Sequence, residues 1–249
     1  MKIQSFALSD VGLVRGENQD TSGYFPAANL FVIADGMGGH AGGKQASQLA
    51  VETIEEHFTG GTERPQPGAL DDELPRFLDA VGIANRRIVE RGAAESGLRR
   101  MGTTLVALLL DGEGRAAVVH VGDSRAYRLR GDQFDLLTMD HTIVSDLLRN
   151  REISEAEASG HPYRHVLTRA LGAAEDVSAE VRRIDVQPGD VYVLCSDGVS
   201  GMVADDDITV LATTHRDDPA ELCRRLIAAA NAAGGKDNAT VIAVRCTAG

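Results

Sequence analysis

Aspartates placed close to short apolar runs are the main chemical signal of this sequence. The residues concerned are Asp20, Asp35, Asp123, Asp197 and Asp237. Three of them follow apolar runs typical of buried strands, one precedes such a run, and Asp20 comes shortly after the first strand. Glycines lie beside or within two residues of most of them, which allows the backbone to approach a ligand closely.

These carboxylates predict a binding site for hard cations. Several buried carboxylates would repel one another unless a cation offset their charge. Oxygen ligands without a Cys or His cluster select Mg²⁺ or Mn²⁺ rather than Zn²⁺. A single aspartate at the end of a strand is more simply a turn former or a helix cap. For the whole set, that simpler interpretation is the weaker one.

The elements that must position these aspartates are short strands and amphipathic helices. Predicted strands cover residues 3–8, 30–34, 103–110, 116–121, 126–129, 134–137, 191–195 and 239–244. Predicted helices cover residues 46–58, 74–89 and 222–233, with a loop at 59–68. Hairpin turns between strands, such as Asp111–Gly114, exclude a purely parallel sheet. The pattern favours an α+β fold, an antiparallel sandwich with helices outside, and a single domain over residues 1–249.

Composition limits the possible partners and compartments. The chain has 249 residues and a net charge of −12, which argues against nucleic acid as a partner. The three cysteines have no metal-ligand spacing and indicate reduced, apolar residues. The first residues have no signal-like apolar region, and the apolar run 105–110 is too short to cross a membrane. We therefore expect a cytoplasmic protein without membrane contact, and a monomer.

Ordered motifs give the chain a family resemblance. They are Arg15–Asp20, Ala34–His40, Met101–Thr104, Val121–Arg125, Asp140–Thr142, Leu167–Gly172, Ser196–Gly198 and Asp237–Thr240. In this order they resemble the metal-dependent protein phosphatases of the type 2C (PPM) family, in the short bacterial form. The departures Gln19, His120 and Thr142 remove no ligand that the resemblance assigns.

The resemblance implies a fold and a metal centre. The implied fold is a four-layer α-β-β-α sandwich, with a metal centre between the edges of its two sheets and a flap-like insert at about 141–172. Two Mn²⁺ or Mg²⁺ ions would be held by Asp20, Asp35, Asp197, Asp237 and the carbonyl oxygen of Gly36. A third, more weakly held ion would be bound by Asp123 and Asp197.

The resemblance also implies a reaction. Water activated by the metal ions would attack the phosphorus of phosphoserine or phosphothreonine. Arg15 would bind the phosphate through its planar guanidinium, and His40 is the candidate acid for the leaving group. The expected partners are phosphoproteins, including a bacterial Ser/Thr kinase. In the insert, His161, Arg164, His165 and Arg169 either contact phosphopeptide charge or form a solvated face.

Other motifs offer rival interpretations. Gly38–Lys44 resembles a phosphate-binding loop, but Gln45 stands where Ser or Thr is needed. The glycines at 36–39 would also suit a dinucleotide-binding oxidoreductase, although Asp35 would oppose the pyrophosphate. Asp205–Thr209 matches an aspartyl-phosphatase pattern, but a helix-capping cluster explains it better. A non-catalytic relative that only binds phosphoproteins remains the rival within the same fold.

Overall fold

The computed structural model describes residues 1–38, 42–59 and 68–249. The strands are β1 (Lys2–Asp10), β2 (Asp20–Phe25), β3 (Leu30–Met37), β4 (Gly102–Thr103), β5 (Leu105–Leu110), β6 (Arg115–Val121), β7 (Arg125–Arg130), β8 (Gln133–Leu136), β9 (Glu180–Asp185), β10 (Val191–Cys195) and β11 (Ala239–Thr247). The α-helices are α1 (Gly42–Ile54), α2 (Leu70–Ala94), α3 (Ile143–Arg149), α4 (Glu155–Ser159), α5 (Asp197–Ser200), α6 (Asp205–Thr214) and α7 (Pro219–Ala232). A π-helical turn, Glu55–Thr59, extends α1.

Two antiparallel sheets form the middle of the molecule. The first has the strand order β1-β11-β10-β7-β8, and the second has the order β2-β3-β5-β6-β9, with β4 paired to β3. Neighbouring strands in each sheet run antiparallel. The predicted α+β sandwich is confirmed. The antiparallel pairing of β3 also argues against the dinucleotide-binding interpretation, which requires a parallel βαβ unit.

Alternation along β3 shows how the layers are filled. Phe31 and Ile33 face the other sheet, where they join a core that includes Leu194 and Ile242. Leu30 and Val32 point the opposite way. Because successive side chains of a strand point to opposite faces, an unbroken apolar run is needed where both faces are covered.

Helices cover the outer face of each sheet. Helices α1 and α2 pack on the second sheet through residues such as Ile54 and Phe77. Helices α6 and α7 pack on the first sheet through residues such as Ile208 and Leu226. The resulting order of layers is helix, sheet, sheet, helix. No helix in the described ranges combines the length and apolar character needed to cross a membrane.

Several predicted boundaries differ from the structure. Strand β3 continues past Asp35, because Gly36 and Met37 pair with β4. Strands β2 and β9 were not predicted, since neither has a regular apolar alternation. The capping residue of α6 is Ala204, so the aspartates from Asp205 onward lie in the first helical turn rather than capping it. There their negative charges lie close to the positive N-terminal end of the helix dipole, which stabilises the helix.

The insert at 141–172 contains α3 and α4 and is tied to the sandwich at both ends. Near its start the His141 N–H donates to the Gly122 C=O at 2.9 Å, and near its end Leu171 pairs with Thr103 of β4. We call this segment the flap. Its C-terminal part therefore lies against the end of the second sheet, where the predicted site residues collect.

Candidate metal centre

A cleft of about 810 Å³ brings most of the predicted site residues together. Its lining includes Arg15, Asp35, Gly36, Asp123, Asp197 and Asp237. Asp20 is not on the lining but lies buried beside Asp35, its partner in the β2–β3 register. The residues come from separate strand ends and loops, which the antiparallel packing of the two sheets brings to one end of the sandwich.

Asp20 divides its two carboxylate oxygens between different environments. Oδ2 accepts hydrogen bonds from Ser196 Oγ and Thr240 Oγ1, both at 2.7 Å. Oδ1 is buried and has no hydrogen-bond partner among the described residues. The neighbouring Asp35 carboxyl could satisfy this oxygen only while it carries a proton. Burial raises the pKa of Asp20 to about 6, although the two hydroxyl groups oppose that rise.

Asp35 is the most perturbed carboxyl of the group. Burial raises its pKa well above the ordinary value, and the nearby charges of Asp20, Asp197 and Asp123 raise it further. Its backbone is fixed on both sides: the Asp35 N–H donates to Thr104 Oγ1 at 3.1 Å, and its C=O accepts from Thr103 Oγ1 at 2.8 Å. The side chain is therefore held in a place where it contacts the other carboxyls.

Asp123 and Asp197 complete the buried group. Burial, and then the charge of Asp197, raise the pKa of Asp123 to about 7. Burial is also the main cause that raises the pKa of Asp197, followed by the charge of Asp237. Carboxyl groups that are all shifted in this direction lack a compensating positive charge.

Asp237 and Arg15 form the more open side of the cleft. Arg15 Nη2 donates to Asp237 Oδ2 at 2.7 Å, and about half of the Arg15 side chain (52%) is exposed. The Asp237 Oδ1 atom accepts from the N–H of Asn238 at 2.8 Å. A half-exposed guanidinium beside buried carboxylates can reach an anionic ligand that enters the cleft.

Gly36 lies where two backbones nearly touch. A Cβ atom on Gly36 would come within 2.1 Å of the carbonyl oxygen of Gly43 in α1. Gly36 is therefore required by this close approach. Gly36 itself lines the cleft, and the ligand role of its carbonyl oxygen stays a prediction.

The predictions for histidines and for the flap have different outcomes. His40, the predicted general acid, lies outside the described residues. Of the four basic residues named in the flap, His165 lines the cleft. Arg169 instead approaches the ring of His141, and the ring of His161 packs near Tyr163 with centroids 5.7 Å apart.

Residues that were not predicted to act in the site hold it in place. Asn238 donates to the carbonyl oxygens of Val11 and Glu17 and accepts from the N–H of Gln19, so it fastens the loop that carries Arg15. Arg125 forms a bidentate ion pair with Asp140, with an Nη2–Oδ2 distance of 2.8 Å. These residues belong to the quoted motifs, and that membership was the only sequence signal for them.

The donor set fits hard divalent cations. Buried carboxylates with raised pKa values, together with a buried Asp20 oxygen that lacks a donor, are what oxygen-ligated Mg²⁺ or Mn²⁺ would compensate. The fold and the site thus define a class: a helix-covered antiparallel sandwich with a carboxylate-lined candidate cation site at one end. A second group, His120, His141 and Glu180, also brings possible ligand atoms within 4.8 Å of one another.

Comparison with known proteins defines the family. The family model described as Protein phosphatase 2C matches residues 15–236, and the chain belongs to this family. The serine/threonine protein phosphatase PstP of Mycobacterium tuberculosis is 39% identical over 236 residues, covering 95% of this chain. This chain spans only 43% of that relative's length.

Two further comparisons cover both partners almost completely. The serine/threonine phosphatase stp of Listeria innocua is 35% identical over 239 residues, with 95% of this chain and 93% of that protein covered. A crystal structure of the PstP catalytic domain in complex with two manganese ions superposes with a TM-score of 0.86 at 36% identity. It covers 99% of each chain. The family and the fold predicted from the sequence are therefore confirmed.

Proposed function

We propose that this chain is a protein serine/threonine phosphatase that hydrolyses phosphoserine and phosphothreonine with two bound Mn²⁺ or Mg²⁺ ions. The observation that carries the proposal is the convergence of Asp20, Asp35, Asp123 and Asp197, all with raised pKa values, at one cleft beside Arg15. Homologues named as Ser/Thr phosphatases support the reaction, and a related structure with two manganese ions supports the cofactor.

Each residue has a distinct role in this proposal. Asp20, Asp35, Asp197, Asp237 and the Gly36 carbonyl would hold two ions, and Asp123 with Asp197 would hold a third more weakly. Bound ions would supply a water of lowered pKa and would offset negative charge on the phosphoryl oxygens. Arg15 binds and orients the phosphate group. His40 remains the proposed acid for the leaving alkoxide.

The charged and polar side chains around Arg15 support a phosphorylated protein as the substrate. Arg15 supplies a positive charge on a lining that also carries several carboxylates, and His165 lies on the same lining. In this proposal Arg15 receives the phosphate group of the substrate, and the flap stretch that carries His165 borders the bound polypeptide. We further propose that a bacterial Ser/Thr kinase is among the substrates, and that the protein acts as a monomer in the cytoplasm.

The test is metal-dependent release of phosphate. Protein treated with a chelator and then dialysed is assayed on para-nitrophenyl phosphate and on phosphoserine and phosphothreonine peptides, with and without Mn²⁺ or Mg²⁺. We expect hydrolysis only with metal, and none with the Asp35→Asn variant. Asp79→Asn, on the exposed face of α2, is the matched control and should behave as wild type.

Two outcomes would contradict the proposal. Equal hydrolysis with and without metal would exclude the metal-dependent reaction. Binding of a phosphopeptide without release of phosphate would instead support the non-catalytic relative. Comparing phosphoproteomes of cells that carry wild type or Asp35→Asn then tests the kinase: its phosphorylation should rise with the variant, and an unchanged level would exclude it as a substrate.

A further inference from the structure

Two buried histidines lie between the flap and the second sheet. His120 belongs to β6, and His141 stands at the start of the flap. Their rings stack, with centroids 4.6 Å apart and planes 16° apart. Glu180 of β9 lies opposite His120 in the strand register and completes the group.

Hydrogen bonding shows that this group is not a metal site. The Gly122 N–H donates to His141 Nδ1 at 3.1 Å, so Nδ1 presents its lone pair to that donor. A neutral imidazole then carries its proton on Nε2, which lies 3.3 Å from Glu180 Oε2 and can donate to it. A protonated nitrogen has no lone pair for a metal ion. Burial and the neighbouring His120 lower the pKa of His141, which favours this neutral ring.

His141 instead fixes the backbone of Gly122 from both sides. Besides the bond to Nδ1, the Gly122 C=O accepts from the His141 N–H at 2.9 Å. Gly122 has φ +104°, a conformation that favours glycine, and a Cβ there would come within 2.7 Å of Thr104 Cγ2. Asp123 follows directly. The direction in which Asp123 enters the cleft is therefore set by a turn whose two polar groups both bind His141.

The same residue holds the flap. The His141 C=O accepts from the N–H of Thr168 at 2.8 Å. Two residues further on, the Ile143 N–H donates to the C=O of Val166 at 3.0 Å. His165 and Leu167 in this stretch line the cleft. One residue thus binds two parts of the cleft wall, the Asp123 turn and the flap stretch 165–168.

We propose that His141 is a positioning residue that fixes the Asp123 turn relative to the flap stretch 165–168. It acts through Gly122 and Thr168 without touching the phosphorylated substrate. The inference rests on the proposed phosphatase function for its effect on turnover, but its structural part can be measured without substrate or metal.

The experiment compares two substitutions that differ in where they place an acceptor. His141→Asn keeps an oxygen close to the position of Nδ1, whereas His141→Gln moves its acceptor towards the position of Nε2. His215→Gln, at the end of α6 on the other sheet, is the matched control. Each protein is studied by hydrogen exchange of the Gly122 amide without metal, by calorimetry with Mn²⁺, and by kcat and KM on para-nitrophenyl phosphate and a phosphopeptide.

We expect His141→Gln to speed exchange at Gly122 by at least about tenfold and to lower kcat by about 10- to 100-fold. Tight binding of two Mn²⁺ ions should persist, because their predicted ligands do not contact His141. His141→Asn should restore slow exchange and most of the turnover, and His215→Gln should match wild type.

Two results would overturn the inference. One is a folded His141→Asn variant that loses both protection of Gly122 and turnover, a comparison that stands even if His141→Gln does not fold. The other is a His141→Gln variant in which Gly122 exchanges freely while kcat is unchanged. If the wild type shows no metal-dependent hydrolysis, the proposed function fails separately, and exchange at Gly122 still decides whether His141 holds the turn.

Discussion

Replacing Asp123 by asparagine should stabilise the metal-free protein at alkaline pH. Asp123 is partly buried where it lines the cleft, and burial together with the charge of Asp197 raises its pKa from 3.8 to about 7. In the unfolded chain the same carboxyl ionises at its ordinary value. Ionising Asp123 in the folded protein therefore costs free energy that an uncharged amide of the same shape avoids.

The magnitude follows from the two pKa values. The folded and unfolded forms differ by about three pH units, and each unit is about 1.4 kcal/mol, so the full penalty is about 4 kcal/mol. It is absent below the unfolded pKa, because both states are then protonated. It grows as pH rises, since only the folded state retains the proton, and it is complete above about pH 7. The amide of asparagine also needs hydrogen-bond partners, so we expect a gain of about 2–4 kcal/mol near pH 8.5.

Urea unfolding in the presence of a chelator measures this difference. The advantage of Asp123→Asn over wild type should be smaller by about 2.5 kcal/mol near pH 5, because pH 5 lies only about one unit above the unfolded pKa and the penalty on wild type there is only about 1.5 kcal/mol. Asp79→Asn, an exposed substitution on α2, should show no such trend. The reasoning is refuted if Asp123→Asn is no more stable than wild type near pH 8.5, or if its advantage is the same at both pH values.

Further predictions concern the residues around the proposed ions. Asp35→Asn should abolish turnover of para-nitrophenyl phosphate and weaken Mn²⁺ binding in calorimetry; retained activity would exclude its bridging role. Arg15→Ala should raise KM about tenfold or more with a smaller change in kcat, and an unchanged KM in steady-state kinetics would count against phosphate binding. Asp123→Ala should lower turnover while two tight ions remain, so calorimetric loss of a tight ion would contradict its assignment to a third site. Ser196→Ala removes a donor to Asp20 and should weaken Mn²⁺ binding by about 10- to 100-fold, whereas unaltered affinity would show that this hydroxyl does not orient the ligand.

The sequence was sufficient to predict the layers because burial leaves a local pattern. The unbroken apolar run before Asp35 indicated a strand covered on both faces, and β3 has that environment. Edge strands carry a weaker pattern. Strand β9 ends the order of its sheet among the described residues and is mostly exposed on both faces, including the adjacent Arg182 and Arg183, so no apolar alternation was needed.

The proposed metal ligands could be predicted from the sequence, but the residues that hold those ligands in place could not. The aspartates could be identified because each stands at a strand end within a motif. Their partners could not, because the contacts join distant parts of the chain. Ser196 and Thr240, which hold Asp20, are 176 and 220 positions away from it, and no local spacing relates them. His141 was recognised only as part of the Asp140–Thr142 motif. Its hydrogen bonds to Gly122 depend on how the flap packs against β6.

The environment of Asp20 argues that this end of the sandwich is organised for a ligand rather than for stability alone. A structural carboxylate in a protein interior normally has both oxygens hydrogen-bonded. In Asp20 two hydroxyl groups bind the same oxygen, Oδ2, and fix the side chain, while Oδ1 is buried without a donor. The neighbouring Asp35 also has a raised pKa, but a single proton can compensate only one oxygen and not the whole group of carboxylates. In the proposed metal centre a divalent cation would compensate several of these oxygens at once, which is why we expect the burial of these carboxylates to be tolerated there.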